Sequence, residues 1–169
     1  MLKVDLGLLA QQHRIRIDAE VSAEDALWAE LPWRFAEPVS LHLEVQQAGS
    51  DVVVRGEVDG VAELACRRCL SAVLYEVNEE LIFVYRTGVA PVQAEAEEVY
   101  ALPKKSRELD LTLAVREHVL LAVPEFVSCD DTCRGFCPRC GTNLNESTCD
   151  CRTEDEDPRW AALRRLRSE

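Results

Sequence analysis

Eight cysteines in a chain of 169 residues constrain this protein more than any other feature, because their spacing is strongly uneven. Cys66 and Cys69 stand mid-chain as a Cys-x-x-Cys pair, while Cys129, Cys133, Cys137, Cys140, Cys149 and Cys151 crowd the C-terminal part. Eight is too few for a disulfide scaffold of this length and too many for ordinary buried residues. A closed structural zinc site takes four thiolate or imidazole ligands in a tetrahedron, so eight cysteines fill two such sites with none left over.

Compartment decides how the cysteines are read. Residues 1–10 carry Lys3 and several leucines but also Asp5, without the apolar run and small-residue cleavage site of a secretory signal. No window approaches the roughly 18 uninterrupted apolar residues of a membrane span. The expectation is a soluble, cytoplasmic protein with no membrane partner, in which thiols stay reduced and cysteine pairs favour metal.

Spacing and turn chemistry suggest the grouping. Cys137-Pro138-Arg139-Cys140-Gly141 reads as a zinc knuckle, a tight turn whose two thiolates face one metal and whose glycine permits a left-handed step. Its nearest complement is Cys149-Asp150-Cys151, reached through a polar, asparagine-containing loop, so these four form one site. The second knuckle, Cys66-Arg67-Arg68-Cys69, then closes with Cys129 and Cys133 and clips the middle of the chain to its C-terminal part. Closing a loop of roughly 60 residues is otherwise costly in entropy. Two other readings of the mid-chain pair are a redox couple, its thiols activated by Arg67 and Arg68, and buried unliganded cysteines. Against the redox couple, the pair ends a strand-like run and does not open a helix.

The net charge of −12, from 19 basic and 31 acidic residues, works against nucleic-acid binding through a broad basic face. Four-thiolate zinc sites make the chain more acidic still, by about two charges each. No catalytic arrangement stands out: His13, His42 and His118 are isolated and read as surface or edge histidines. There is no Ser/His/Asp set, phosphate-cradling glycine loop or placed carboxylate pair. The expectation is a non-enzyme with no small-molecule substrate.

Period-two alternation at Leu41, Leu43 and Val45 and at Val54, Gly56 and Val58 predicts half-buried strands joined at Gly49-Ser50-Asp51. A further turn is expected at Asp59-Gly60, then a strand over residues 61–66 and a long strand over 73–85, making an antiparallel meander. Residues 2–9 and 15–21 read as strands and 23–30 as a short helix. Asp110 looks like the N-cap of a helix over residues 111–123 that packs on the sheet and ends at Pro124. Asp157-Pro158 opens a short amphipathic C-terminal helix with Trp160, Leu163 and Leu166 among four arginines. The expected class is therefore α+β: an antiparallel sheet or partly open barrel with one packed helix and a C-terminal zinc-binding module. Its divisions are a β-rich domain (1–86), a linker or mobile loop (87–107), the packed helix (108–128), and the zinc module with its terminal helix (129–169).

These residues also carry a resemblance. The run Ala65-Cys66-Arg67-Arg68-Cys69-Leu70, the helix ending Leu121-Ala122-Val123-Pro124, the sequence from Cys129 through Arg134-Gly135-Phe136 to Asn145, and the closing Asp157-Pro158-Arg159 with Leu163 and Leu166 resemble the YceD family. These are the bacterial large ribosomal RNA subunit accumulation proteins, and the likeness spans about residues 60–169. Phe136, where leucine is commoner, is a mild departure that leaves the metal ligands intact. The resemblance implies a non-enzymatic role in building the large ribosomal subunit, needed for accumulation of its 23S rRNA.

Three functional expectations follow. An acidic assembly factor would bind a basic ribosomal protein or a pre-ribosomal particle. Direct rRNA binding would use a small patch of Arg67, Arg68, Lys104, Lys105, Arg107, Arg134 and Arg139, gathered by the metal clips; a solvated surface is its plain alternative. A zinc- or redox-responsive regulator would release metal reversibly on disulfide formation.

Overall fold

Residues 39–87 alternate apolar and polar side chains, and there the chain forms three long strands: β4 (Val39–Ala48), β5 (Asp51–Ala65) and β6 (Ala72–Thr87). The computed structural model describes residues 2–88, 99–102 and 105–151. The expected C-terminal helix and Lys104 lie outside the described residues.

Among the described residues there are five further strands: β1 (Lys3–Asp5), β2 (Arg14–Val21), β3 (Arg34–Phe35), β7 (Tyr100–Leu102) and β8 (Glu108–Asp110). The main sheet runs β2-β4-β5-β6-β7, with β3 paired to β5, and β1 pairs with β8 in a separate ribbon. Neighbours in the main sheet are antiparallel except β6 and β7, which are parallel. The fold is α+β, and of the two expected forms the sheet takes the open one; it does not close into a barrel.

Inward side chains of the sheet (Val39, Leu41, Val45, Val54, Val58, Leu81 and Phe83) make one core with two helices, α1 (Leu6–Gln12) and α2 (Thr112–Ala122). From α2, Ala114, Val115 and Val119 are buried, so the expected packed helix is present; its N-cap is Leu111 and not the expected Asp110, whose carboxylate accepts the Thr112 N–H at 2.9 Å just before the helix. The His118 ring lies 5.0 Å from that of Phe83, tilted by 43°, and turns its Nδ1 to the Ala114 carbonyl at 2.9 Å, so it belongs to this packing and not to an edge.

Three local expectations are corrected. Residues 2–9 are not one strand: Asp5 ends β1 and caps α1, its carboxylate accepting the Leu8 N–H at 2.8 Å, and His13 closes the helix at φ 61°. Residues 23–30 hold only a single 3-10 turn at Ala26–Trp28. No turn occurs at Asp59-Gly60, because β5 runs through it in unbroken register with β6. Glycine lets Phe35 approach closely there: a Cβ on Gly60 would lie 3.1 Å from the Phe35 ring, tight enough that the ring would have to shift.

Candidate metal centres

The β5–β6 turn is the first knuckle. The Leu70 N–H donates to the Cys66 carbonyl and the Cys66 N–H to the Ser71 carbonyl, each at 2.9 Å, so Cys66 and Cys69 present their sulfurs on one side. Leu70 completes the turn at φ 56°, a left-handed conformation that costs a branched side chain about 1–2 kcal/mol. A parallel bridge between Cys66 and Val127, with the Arg67 N–H donating to the Val127 carbonyl at 2.8 Å, lays the chain after α2 beside this turn. Cys129 and Cys133 then flank a tight turn in which the Asp130 carboxylate accepts the Thr132 N–H at 2.7 Å.

The second knuckle is built alike. Gly141, at φ 72°, donates its N–H to the Cys137 carbonyl at 2.9 Å, and the Cys137 N–H donates to the Thr142 carbonyl at 2.9 Å. Cys149 and Cys151 come back over it. The structure thus brings together Cys66, Cys69, Cys129 and Cys133, and separately Cys137, Cys140, Cys149 and Cys151, with the sulfurs of each set all within 4.8 Å of one another.

Both sets fit zinc. With Zn–S bonds of about 2.3 Å, the edges of a tetrahedral four-sulfur site are about 3.8 Å, and the Cys66–Cys133 and Cys69–Cys129 sulfur separations are 3.9 and 3.5 Å. A disulfide needs about 2.05 Å, and all eight cysteines are free. The thiols also compete as acids. The Arg68 backbone N–H, donating to the sulfur, pulls Cys66 down to about 6, whereas hydrogen bonds with Cys69 and Cys133 push Cys129 up to about 12. In the other set, the Thr142 hydroxyl pulls Cys140 down to about 6 and Cys140 pushes Cys151 up to about 12. Four thiolates this close need a cation to ionise together. A four-thiolate zinc has no open position, so the chemistry it supplies is a structural cross-link.

The centres touch each other. The Asn145 side-chain amide, from the second module, donates to the Cys133 sulfur at 3.3 Å, and its oxygen accepts the Arg134 N–H at 2.7 Å. The Phe136 N–H donates to the Arg68 carbonyl at 3.1 Å. Gly135 makes this approach possible, since a Cβ there would sit 2.9 Å from the Arg68 carbonyl oxygen and φ is 72°. Sequence reasoning named the sulfurs but missed Asn145; a polar residue in the knuckle's loop was the available signal.

Among the described residues, the arginines and lysines of the expected RNA patch fall into two separate groups. Arg67, Arg68, Arg134 and Arg139 stand around the centres, and the Arg68 guanidinium donates to the Cys133 carbonyl at 2.7 Å, holding the site instead of facing a ligand. Lys105 and Arg107 belong to the opposite end of the sheet, where the Arg107 carbonyl accepts the Leu6 N–H and Tyr85 donates to the Asp110 carbonyl. Ala72 to Tyr85 along β6 is about 40 Å.

Two neighbouring rows on the outer face of the sheet are acidic, beside a third that holds Arg16, Glu44, Arg55 and Ile82. Asp18, His42, Glu57 and Glu80 form one row across β2, β4, β5 and β6, and Glu20, Ser40, Asp59 and Asn78 the next. His42 holds the Asp18 carboxylate at 2.7 Å, and this hydrogen bond raises its pKa above the usual histidine value. Glu57 and Glu80 face each other directly, a like-charge pairing that opposes sheet formation.

Residues 54–167 match the family model described as Large ribosomal RNA subunit accumulation protein YceD. The chain is 36% identical over 67 residues to the chloroplastic large ribosomal RNA subunit accumulation protein YCED homolog 1 of Arabidopsis thaliana, covering 40% of this chain and 21% of that protein. It is 33% identical over 127 residues to an uncharacterised protein of Mycobacterium bovis, covering 74% of this chain and 60% of the other. A Mycobacterium leprae protein is 31% identical over 109 residues, covering 63% and 49%. Each match spans less than two thirds of the relative. No solved structure matches. No helix among the described residues is long and apolar enough to cross a membrane.

Proposed function

The chain belongs to the YceD family of large ribosomal RNA subunit accumulation proteins, and from that premise we propose that it is a non-enzymatic, cytoplasmic assembly factor that supports 23S rRNA accumulation by binding a basic ribosomal protein or a pre-ribosomal particle. Zinc at the two cysteine clusters holds the region after α2 against the β5–β6 turn, and Cys66, Cys69, Cys129, Cys133, Cys137, Cys140, Cys149 and Cys151 are its ligands.

The observation that carries the choice of partner is the acidic register of the outer sheet face, where Asp18, Glu20, Glu57, Asp59 and Glu80 lie on adjacent strands. Such a face repels phosphate and attracts a lysine- and arginine-rich protein that would otherwise bind RNA without specificity. The separation of Arg67, Arg68, Arg134 and Arg139 from Arg107 supports the same choice.

Depletion of the protein tests the reading. The ratio of 23S to 16S rRNA falls, wild type restores it, and Asp18→Lys with Glu57→Lys does not, although that variant keeps its zinc and its fold. An unchanged ratio on depletion overturns the role; full rescue by the charge-reversed variant overturns the acidic face as the binding surface.

A further inference from the structure

β6 is paired along its whole length on one side and almost unpaired on the other. Its register with β5 is continuous from Ala72 to Arg86, whereas β7 covers only Tyr85, Arg86 and Thr87. Among the described residues, no backbone group is bonded to the outer edge between Ala72 and Val84.

Two bonds at the margins of the register fix which groups face outward. The Cys66 N–H donates to the Ser71 carbonyl, so that pair is the hydrogen-bonded kind and the next, Ala65 with Ala72, is not. Independently, the Ala36 N–H donates to the Val61 carbonyl on the β3 side, so Val61 turns away from β6 and its partner Glu76 turns away from β5. Both give the same phase: Leu74, Glu76, Asn78, Glu80 and Ile82 send their N–H and C=O groups to the open edge. All five side chains are exposed.

We propose that the open edge of β6 from Leu74 to Ile82 accepts an extended, basic polypeptide segment as an added antiparallel or parallel strand. The inference rests on the basic-protein reading above and names the contact. An added strand is held by its main chain and selected by the side chains that sit beside those of the edge. Leu74, Glu76, Asn78, Glu80 and Ile82 select apolar, basic, polar, basic and apolar residues at every second position. The order is symmetric about Asn78, so it accepts either chain direction.

The same symmetry works against a second copy of the chain in the register that overlaps the whole edge. Antiparallel self-pairing centred on Asn78 would oppose Glu76 to Glu80 at both ends, which is how natural edges avoid self-association. Residues 89–98 carry Glu95, Glu97 and Glu98 and are equally ill matched. A basic strand would instead relieve the direct opposition of Glu57 and Glu80.

The test uses the full zinc-loaded chain and a synthetic nine-residue peptide with valine at both ends, lysine at the third and seventh positions and threonine elsewhere. Backbone hydrogen exchange of Leu74, Glu76, Asn78, Glu80 and Ile82, the residues whose N–H groups face the open edge, is fast in the free protein and slows with the peptide, an effect lost in high salt. Glu76→Lys with Glu80→Lys weakens binding roughly tenfold or more, and a peptide with glutamate in place of lysine restores it. Exchange already as slow as in β5 in the free protein means that the edge is occupied by this chain or a second copy, and overturns the proposal. So does binding of the lysine peptide unchanged by the charge reversal, or protection confined to another strand. These outcomes are independent of the 23S to 16S ratio, whose failure to respond to depletion would remove the assembly role itself.

Discussion

The sulfurs of Cys69 and Cys129 lie 3.5 Å apart, although 60 positions separate them in the chain. The contact joins the turn at the end of β5 to the segment that follows α2, and it is a tetrahedral edge in length, not a disulfide. Purified protein is expected to carry two zinc ions per chain, and Cys66→Ser to carry one. A single zinc in wild type, unchanged by Cys66→Ser, would rule out the paired arrangement.

Cys137→Ser removes the other ion. Residues 134–151 then lose the knuckle that orders them, whereas the sheet and α2 keep their own apolar core. Hydrogen exchange should rise across the second module and stay low in β4 and β5. Loss of protection throughout the sheet would contradict the separation of the two parts.

Leu70 is 65% exposed and sits at φ 56°, so it gains little from burial and bears a left-handed backbone. Replacing it with glycine relieves about 1–2 kcal/mol of strain against about 0.5–1 kcal/mol of added unfolded-state entropy. Leu70→Gly should therefore stabilise the zinc-loaded protein by a few tenths to about 1 kcal/mol, read as a higher denaturant midpoint. A lower midpoint would mean that the leucine side chain makes a contact worth more than its strain.

Gly135 is the point of closest approach between the modules. In Gly135→Ala the new Cβ meets the Arg68 carbonyl oxygen at 2.9 Å in an unfavourable φ, so the contact opens. The expected cost is about 1–3 kcal/mol, with faster release of zinc to a chelator from both centres. Release accelerated at neither centre would show that the modules are held independently.

His42 titrates above 6.5 because its ring nitrogen is bonded to the Asp18 carboxylate. A raised folded-state value means that this pair adds stability in full below 6.5 and loses it as the pH rises through the folded pKa. Proton NMR should give His42 a midpoint above 6.5 in wild type and a lower one in Asp18→Asn. Equal midpoints would remove the bond as the cause. As His42 loses its proton, the acidic rows lose their central positive charge, so a basic peptide should bind the sheet more tightly at pH 8 than at pH 6.

Knuckle spacing, the Gly141 turn and the alternation in β4 and β5 are local properties, and the sequence by itself determined them: two sets of four sulfurs, a largely antiparallel sheet and one packed helix. Asp5 was equally local, yet its capping of α1 competed with a strand-like run of leucines and was decided by the fold. Only tertiary structure decided that β5 passes straight through Gly60, because the Phe35 ring that packs against the glycine arrives from another strand. It also decided that Arg67, Arg68, Arg134 and Arg139 stand apart from Arg107, that Asn145 reaches across to Cys133, and that among the described residues β7 covers three residues of β6 and leaves the rest of that edge open. Each depends on which distant segments meet, a matter of packing and pairing between strands that no spacing within one segment encodes.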